Sequence, residues 1–294
     1  MKPSAFVYRR PASLAEALDL LRRHPEDARV IAGGQSLVPA MNLRMATPGM
    51  LVDLAGIETL SALEVASDGS LSAGAMVSHN RFLRDDRVKS GWPAIGLAVR
   101  HVAHEQIRNR GTMGGSLCHA DSAAEWPAVC LLLDAEMSLA GPRGERTVTA
   151  DDFVRGLYET ALEPGELLSF VRFPAPLRGW RWGFHEIARR RGDFALAGAL
   201  AGLAVDENFV VTAGRLVVFA VEDRARRLDG ALSGAVGRRL DEIDKDLAGL
   251  SAAASVDPRS DLHASAEQRF HLVHACVMRA LAAAMQEPTG TING

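Results

Sequence analysis

Residues 28–54 read ARVIAGGQSLVPAMNLRMATPGMLVDL. The run Ala28–Ala32 predicts a strand, Gly33 and Gly34 end it, and Leu37 to about Arg44 carries the pattern of a short helix before a second strand at 50–54. A glycine pair between strand and helix lets backbone N–H groups converge, because no β-carbon opposes positive φ. The helix start adds further unpaired amides and a favourable dipole. Such a concavity suits an anion, phosphate above all, and Gln35 and Ser36 add side-chain donors.

A second pair, Gly114 and Gly115, lies in GTMGGSLCHAD at 111–121, flanked by the donors Thr112 and Ser116. Two donor-flanked glycine pairs, each leading into a helix start, predict that both loops hold one ligand. Neither loop has the G-x-G-x-x-G spacing of a Rossmann site or the G-x-x-x-x-G-K-[ST] spacing of a P-loop, so both of those phosphate sites are disfavoured.

Around the loops, Ser13-Leu14-Ala15-Glu16 has capping-box spacing, and Leu14, Ala17, Leu18 and Leu21 predict an amphipathic helix over 13–24. Asp68-Gly69 centres a predicted hairpin in LEVASDGSLSAGA. Ser78 caps a helix to about Asp85, a further helical segment runs from Pro93 to about Val102, and SAAEWPAVCLLLDA carries another with Pro127 near its first turn. Strands are expected at EMSLA, RTVTA and LLSFVRFP, the last ending on Pro174. PAPLRGWRWG then changes the composition and marks a domain boundary. Beyond it come strands GFHEIA, FALAGALAGLAV and GRLVVFAV, and helical pattern from about Ala235. Ser265 to Gln268 has capping-box spacing for a long last helix whose stripe is Phe270, Val273, Val277, Leu281 and Met285.

The 294 residues exceed the usual single-domain length of roughly 100–200, so more than one compact unit is expected. A hydrophobic fraction of 48%, a charged fraction of 23% and a net charge of -3 are those of a soluble protein without a general attraction to nucleic acid or anionic lipid. The N-terminal stretch lacks an apolar signal region and no run is long enough for a transmembrane segment, so the expected location is cytoplasmic. With 3 cysteines, Cys118, Cys130 and Cys276, the chain cannot by itself hold an iron–sulfur cluster of the four-thiolate kind.

Residues 28–54 and the stretch HEQIRNRGTMGGSLCHADSAAEWPAVCLLLDAEMSL at 104–139 resemble the two flavin-binding signatures of the FAD-binding medium subunit of molybdenum hydroxylases. That family includes the medium subunit of aerobic carbon monoxide dehydrogenase and the flavin segment of xanthine dehydrogenase. GELLSFVRFP, EIARRRGDFALAGAL and RFHLVHACVMRALAAA extend the resemblance over nearly the whole chain in order.

The resemblance implies an α+β fold: a vanillyl-alcohol-oxidase (PCMH)-type FAD-binding domain at 1–176, with two α+β subdomains at about 1–55 and 56–176, then a smaller C-terminal domain of antiparallel sheet and helices at 177–294. It implies that Ile31, Ala32, Gly33, Gly34, Gln35, Ser36 and Leu37, together with Thr112, Met113, Gly114, Gly115 and Ser116, embrace the FAD pyrophosphate. Val102 would touch the cofactor and Glu125 would hydrogen-bond toward its ribityl or ribose hydroxyls. Leu168 would line the adenine or flavin side, and Glu186 and Asp193 would lie near the isoalloxazine. Two departures stand out: Glu186 replaces the lysine of the xanthine dehydrogenase branch, and Ser122 stands where proline is frequent.

The same resemblance implies partners, namely a small subunit with [2Fe–2S] clusters and a large subunit with the molybdopterin cofactor, in a heterotrimer or dimer of heterotrimers. Electrons would pass from the clusters through FAD to an external acceptor, with no catalytic side chain required. Substrate contacts would lie on another polypeptide. The alternatives are a stand-alone FAD-dependent oxidase or reductase of the same superfamily, and a non-catalytic assembly subunit.

His101-x-x-His104 and His271-x-x-His274 have i,i+3 spacing, but without further ligands they predict no metal site. His119 lies close enough in sequence to the second loop to approach a flavin or to serve structure. Cys118 is expected as a small buried side chain. Arg189-Arg190-Arg191 is a charge cluster suited to solvent, an acidic partner or a cofactor phosphate. No G-x-S-x-G elbow supports a hydrolase triad.

Overall fold

The computed structural model describes residues 2–286. They form two compact units. The first comprises the chain up to Arg84, His104–Ala120 and Asp134–Ala175; the second comprises Asp85–Ala103, Asp121–Leu133 and the chain from Pro176 on. The fold is α+β throughout.

The first unit contains a parallel three-stranded sheet in the order Val7–Arg9, Met50–Asp53, Ala28–Ile31. Ala28 pairs with Met50 and Ile31 with Asp53, so the strand before the first glycine pair ends level with its neighbour. The helix Leu14–Arg23 has half of the expected capping box: Ser13 Oγ accepts the Glu16 amide, but the Glu16 carboxylate accepts the Ala12 amide rather than that of Ser13. Ala17 and Leu21 carry its apolar face into a core with Val52, Ile57, Leu60 and Leu167.

Leu167 belongs to the second sheet of this unit, five antiparallel strands in the order Leu63–Val65, Leu71–Gly74, Leu167–Phe173, Glu136–Gly141, Gly144–Thr149. The hairpin predicted at Asp68-Gly69 forms with Gly69 at φ +81°. Asp68 accepts both the amide and the hydroxyl of Ser70 and pairs with Arg172, which fixes the register. A bulge between Leu168 and Phe170 turns Ser169 into the interior, where its hydroxyl donates to the Ser138 carbonyl.

The second unit is an antiparallel sheet in the order Trp180–Ala188, Ala195–Val205, Val211–Phe219, Arg226–Arg227. Its long helix, Ala266–Met285, has the full Ser265/Gln268 capping box and buries Val273, Val277 and Leu281 against the sheet. Phe270 and Met285, expected in the same stripe, are only partly buried at its edge. The approach is close because Gly183 has no side chain: a β-carbon there would lie 1.9 Å from the Ala280 carbonyl oxygen.

Three helices from the middle of the sequence belong to this unit, Asp86–Gly91, Pro93–Val99 and Glu125–Leu132. The last of them buries every residue after Glu125, which makes it a core helix rather than an amphipathic one. The segment from Pro93 was expected to stay helical to about Val102, but regular helix stops at Val99 and Ala103 takes φ +41°. The helical pattern expected from Ala235 begins as the short 3-10 turn Leu240–Glu242 and becomes α-helix only at Lys245–Ala254. Among the described residues no helix is long and apolar enough to cross a membrane.

Candidate functional site

In the first unit the two glycine segments meet. A β-carbon on Gly33 would lie 2.3 Å from the Arg110 carbonyl oxygen and 2.7 Å from the Gly111 α-carbon, so backbone runs against backbone. One on Gly115 would lie 3.5 Å from the Ala32 β-carbon. Residues 31–37 and 112–116 therefore lie beside one another.

The two glycine pairs serve different needs. Gly34 takes φ +71°, the left-handed region that its position after the strand demands. Gly114 and Gly115 do not take positive φ; they lie in the first turn of the helix Met113–His119. Among these four glycines positive φ is confined to Gly34. Gly114 is small because its α-carbon passes Ala75, whose β-carbon would be 2.5 Å from any β-carbon added to it.

Hydrogen bonding separates the loops further. Among the described residues the amides of Gly33, Gly34, Gln35, Ser36 and Leu37 donate to no acceptor of the chain, and Ser36 offers its helix no side-chain cap. Gln35 folds back to the Gly33 carbonyl. In the second segment the amides are engaged: Met113 with the Val77 carbonyl, Gly114 with Ala75, Gly115 with Thr112 Oγ1 and Ser116 with the Thr112 carbonyl. The longer run of open donors thus belongs to the first loop; in the second only the Thr112 amide lacks an acceptor among the described residues, and the segment forms a wall beside the first.

Behind this wall sits His79, buried, with its Nε2 where a β-carbon on Gly111 would approach to 2.7 Å. Burial, followed by the nearby Arg108 charge, pulls its pKa from 6.5 down to about 4. Leu168 is buried in the strand Leu167–Phe173, on which the helix Met113–His119 packs. Cys118, expected to be buried, is exposed, because Met113, Gly114 and Leu117 form the inner face of that helix. His119 packs its ring against Tyr158 at 5.1 Å.

The remaining predicted residues lie in the second unit. Glu125 opens the helix Glu125–Leu132, and Val102 follows the helix Pro93–Val99, which packs on both that helix and the strand Trp180–Ala188. Glu186 on this strand points one carboxylate oxygen at His101 Nδ1, 3.3 Å away. Asp193 lies in the following turn, half-buried, its amide donating to the Arg190 carbonyl. Arg189, Arg190 and Arg191 are exposed there.

Ser122 is buried and its hydroxyl accepts from Arg259 at 2.7 Å, a contact proline could not make. His101 and His104 do not share a helix face, since the first helix ends at Val99 and His104 caps the next, Glu105–Arg110. Among the described residues no group of three or more His, Cys, Asp or Glu could hold a metal ion.

The sequence model of the FAD binding domain in molybdopterin dehydrogenase matches residues 4–176, and that of the CO dehydrogenase flavoprotein C-terminal domain matches residues 182–284. The chain belongs to this family of FAD-binding medium subunits. The nicotine 6-hydroxylase medium subunit of Paenarthrobacter nicotinovorans is 38% identical over 281 residues, 96% of this chain and 98% of its own. The carbon monoxide dehydrogenase medium chain of Hydrogenophaga pseudoflava is 34% identical over 285 residues, 97% of this chain and 98% of its own. A chain of the quinoline 2-oxidoreductase structure from Pseudomonas putida 86 superposes with a TM-score of 0.91 at 43% identity, covering 97% of this chain and 99% of that one.

This medium subunit is therefore a component of an oxidoreductase, and its cofactor is FAD. The residues present fit that cofactor. Its diphosphate is a paired anion with many acceptor oxygens, and the chain offers a run of amides without acceptors. Each charge-assisted bond formed there is worth about 1.5–3 kcal/mol. The engaged amides and the His101–Glu186 pair were not legible in the sequence. The first depends on which carbonyl each amide finds, and the second joins residues far apart along the chain.

Proposed function

We propose that this subunit passes electrons from the [2Fe–2S] clusters of a small partner subunit through FAD to an external acceptor. A large partner subunit holds the molybdopterin cofactor and meets the substrate, and the assembly is a heterotrimer or a dimer of heterotrimers. Bound FAD supplies the chemistry of taking up electrons one at a time and releasing them singly or in pairs. The chain binds and orients it.

The amides of residues 33–37 hold the diphosphate, with Ile31 and Ala32 leading into them and Thr112, Met113, Gly114, Gly115 and Ser116 closing the other side. Val102, Glu125 and Leu168 contact the rest of the cofactor, and Glu186 and Asp193 lie near the isoalloxazine. The open amide run against the Gly33–Arg110 backbone contact is the observation that carries this reading. The thiols support a partner source of electrons: with 3 cysteines, two of them buried, the chain cannot complete a four-thiolate cluster.

The test is anaerobic substrate reduction of the purified complex, followed by the flavin absorbance. Bleaching that requires both the small and the large subunit supports the proposal. A flavin reduced by substrate on this chain alone overturns it.

A further inference from the structure

Glu186 carries an oxygen that the protein does not satisfy. Its side chain is only 7% exposed, Oε1 faces His101 Nδ1 at 3.3 Å, and Oε2 is buried without a hydrogen-bond partner among the described residues. A buried carboxylate oxygen without a donor is costly, so such an atom points to a donor that arrives with a ligand.

The surrounding groups do not supply one. His185, adjacent on the strand, sets its Nε2 3.0 Å from Arg279 Nη1. The Cys276 thiol donates to the Ala197 carbonyl. On the other side the His101 ring packs against Phe184 with centroids 4.7 Å apart, which fixes the imidazole that faces Oε1.

We propose that Glu186 Oε2 accepts the N3–H of the FAD isoalloxazine, and that His101 is the positioning residue that holds the carboxylate in the required orientation. This rests on the reading that Glu186 lies near that ring. In the oxidised isoalloxazine N3–H is the sole N–H, and the other ring heteroatoms accept. A carboxylate in need of a donor therefore selects that edge. The negative charge also disfavours adding electrons to the ring, so Glu186 lowers the flavin midpoint potential.

The test is a binding cycle on the flavin-free full chain with FAD and 3-methyl-FAD, which lacks the donor. The wild type binds FAD about ten- to a hundredfold more tightly than the methylated form. Glu186→Ala abolishes that discrimination. His101→Phe, which keeps a ring against Phe184, weakens it, and His101→Asn, whose amide takes the place of Nδ1, retains it. Glu186→Gln keeps an acceptor without the charge, so it preserves discrimination while raising the midpoint potential. Equal discrimination in wild type and Glu186→Ala overturns the inference with the FAD reading intact. Binding of neither flavin by the wild type overturns both.

Discussion

Gly33 lies against Arg110 so closely that a single added carbon would sit 2.3 Å from the Arg110 carbonyl oxygen. Gly33→Ala must push the two segments apart. Overpacking of this kind costs about 1–3 kcal/mol, which corresponds to roughly a ten- to hundredfold loss of FAD affinity. Gly34→Ala suffers φ strain of about 1 kcal/mol instead, since its β-carbon would meet only the side chains of Val38 and Ile31. The flavin-to-protein absorbance ratio should fall steeply in the first variant and mildly in the second.

His79 gives the first unit a pH dependence of definite sign. Its folded pKa, about 4, lies below the ordinary 6.5, so between those values the unfolded chain binds a proton that the folded chain refuses. Stability falls as pH drops through that window, by about 3 kcal/mol in all, and levels off below it. Denaturant midpoints from pH 7 to 4 should show this slope in the wild type and a flatter profile in His79→Gln.

Gly183→Ala is the matching experiment in the second unit. Its β-carbon would meet the Ala280 carbonyl at 1.9 Å, and backbone cannot rotate away as a side chain can. The variant should melt several degrees lower, for a loss of about 2–3 kcal/mol.

Arg269 is 2% exposed, donating to the carbonyls of Leu196 and Ala220 and pairing with Asp261 at 2.6 Å. Arg269→Leu takes the guanidinium from both carbonyls and from Asp261 Oδ2, and should cost about 3 kcal/mol in urea unfolding. An unchanged midpoint would show that the buried guanidinium offsets little more than its own desolvation.

Much of this architecture was legible because it is locally encoded. The strand, glycine pair and helix of 28–42, the Asp68-Gly69 hairpin and the Ser265 cap each depend on residues within a few positions of one another. What the sequence hid depends on distant partners. Gly114 is glycine because of Ala75, Cys118 is exposed because Met113 and Leu117 turn inward, and the helix Glu125–Leu132 joins a sheet that begins at Trp180. The sequence placed donors at both loops. Only the structure shows that the amides of Met113 to Ser116 are already used while those of residues 33–37 are not.

If the amides of residues 33–37 hold the diphosphate, FAD and riboflavin must differ in affinity, and fluorescence titrations of the flavin-free chain with each measure that difference directly. FAD should bind at least about a hundredfold more tightly, from two or more charge-assisted bonds that riboflavin cannot make. Gly33→Ala should remove most of that advantage. Riboflavin binding as tightly as FAD would contradict the account.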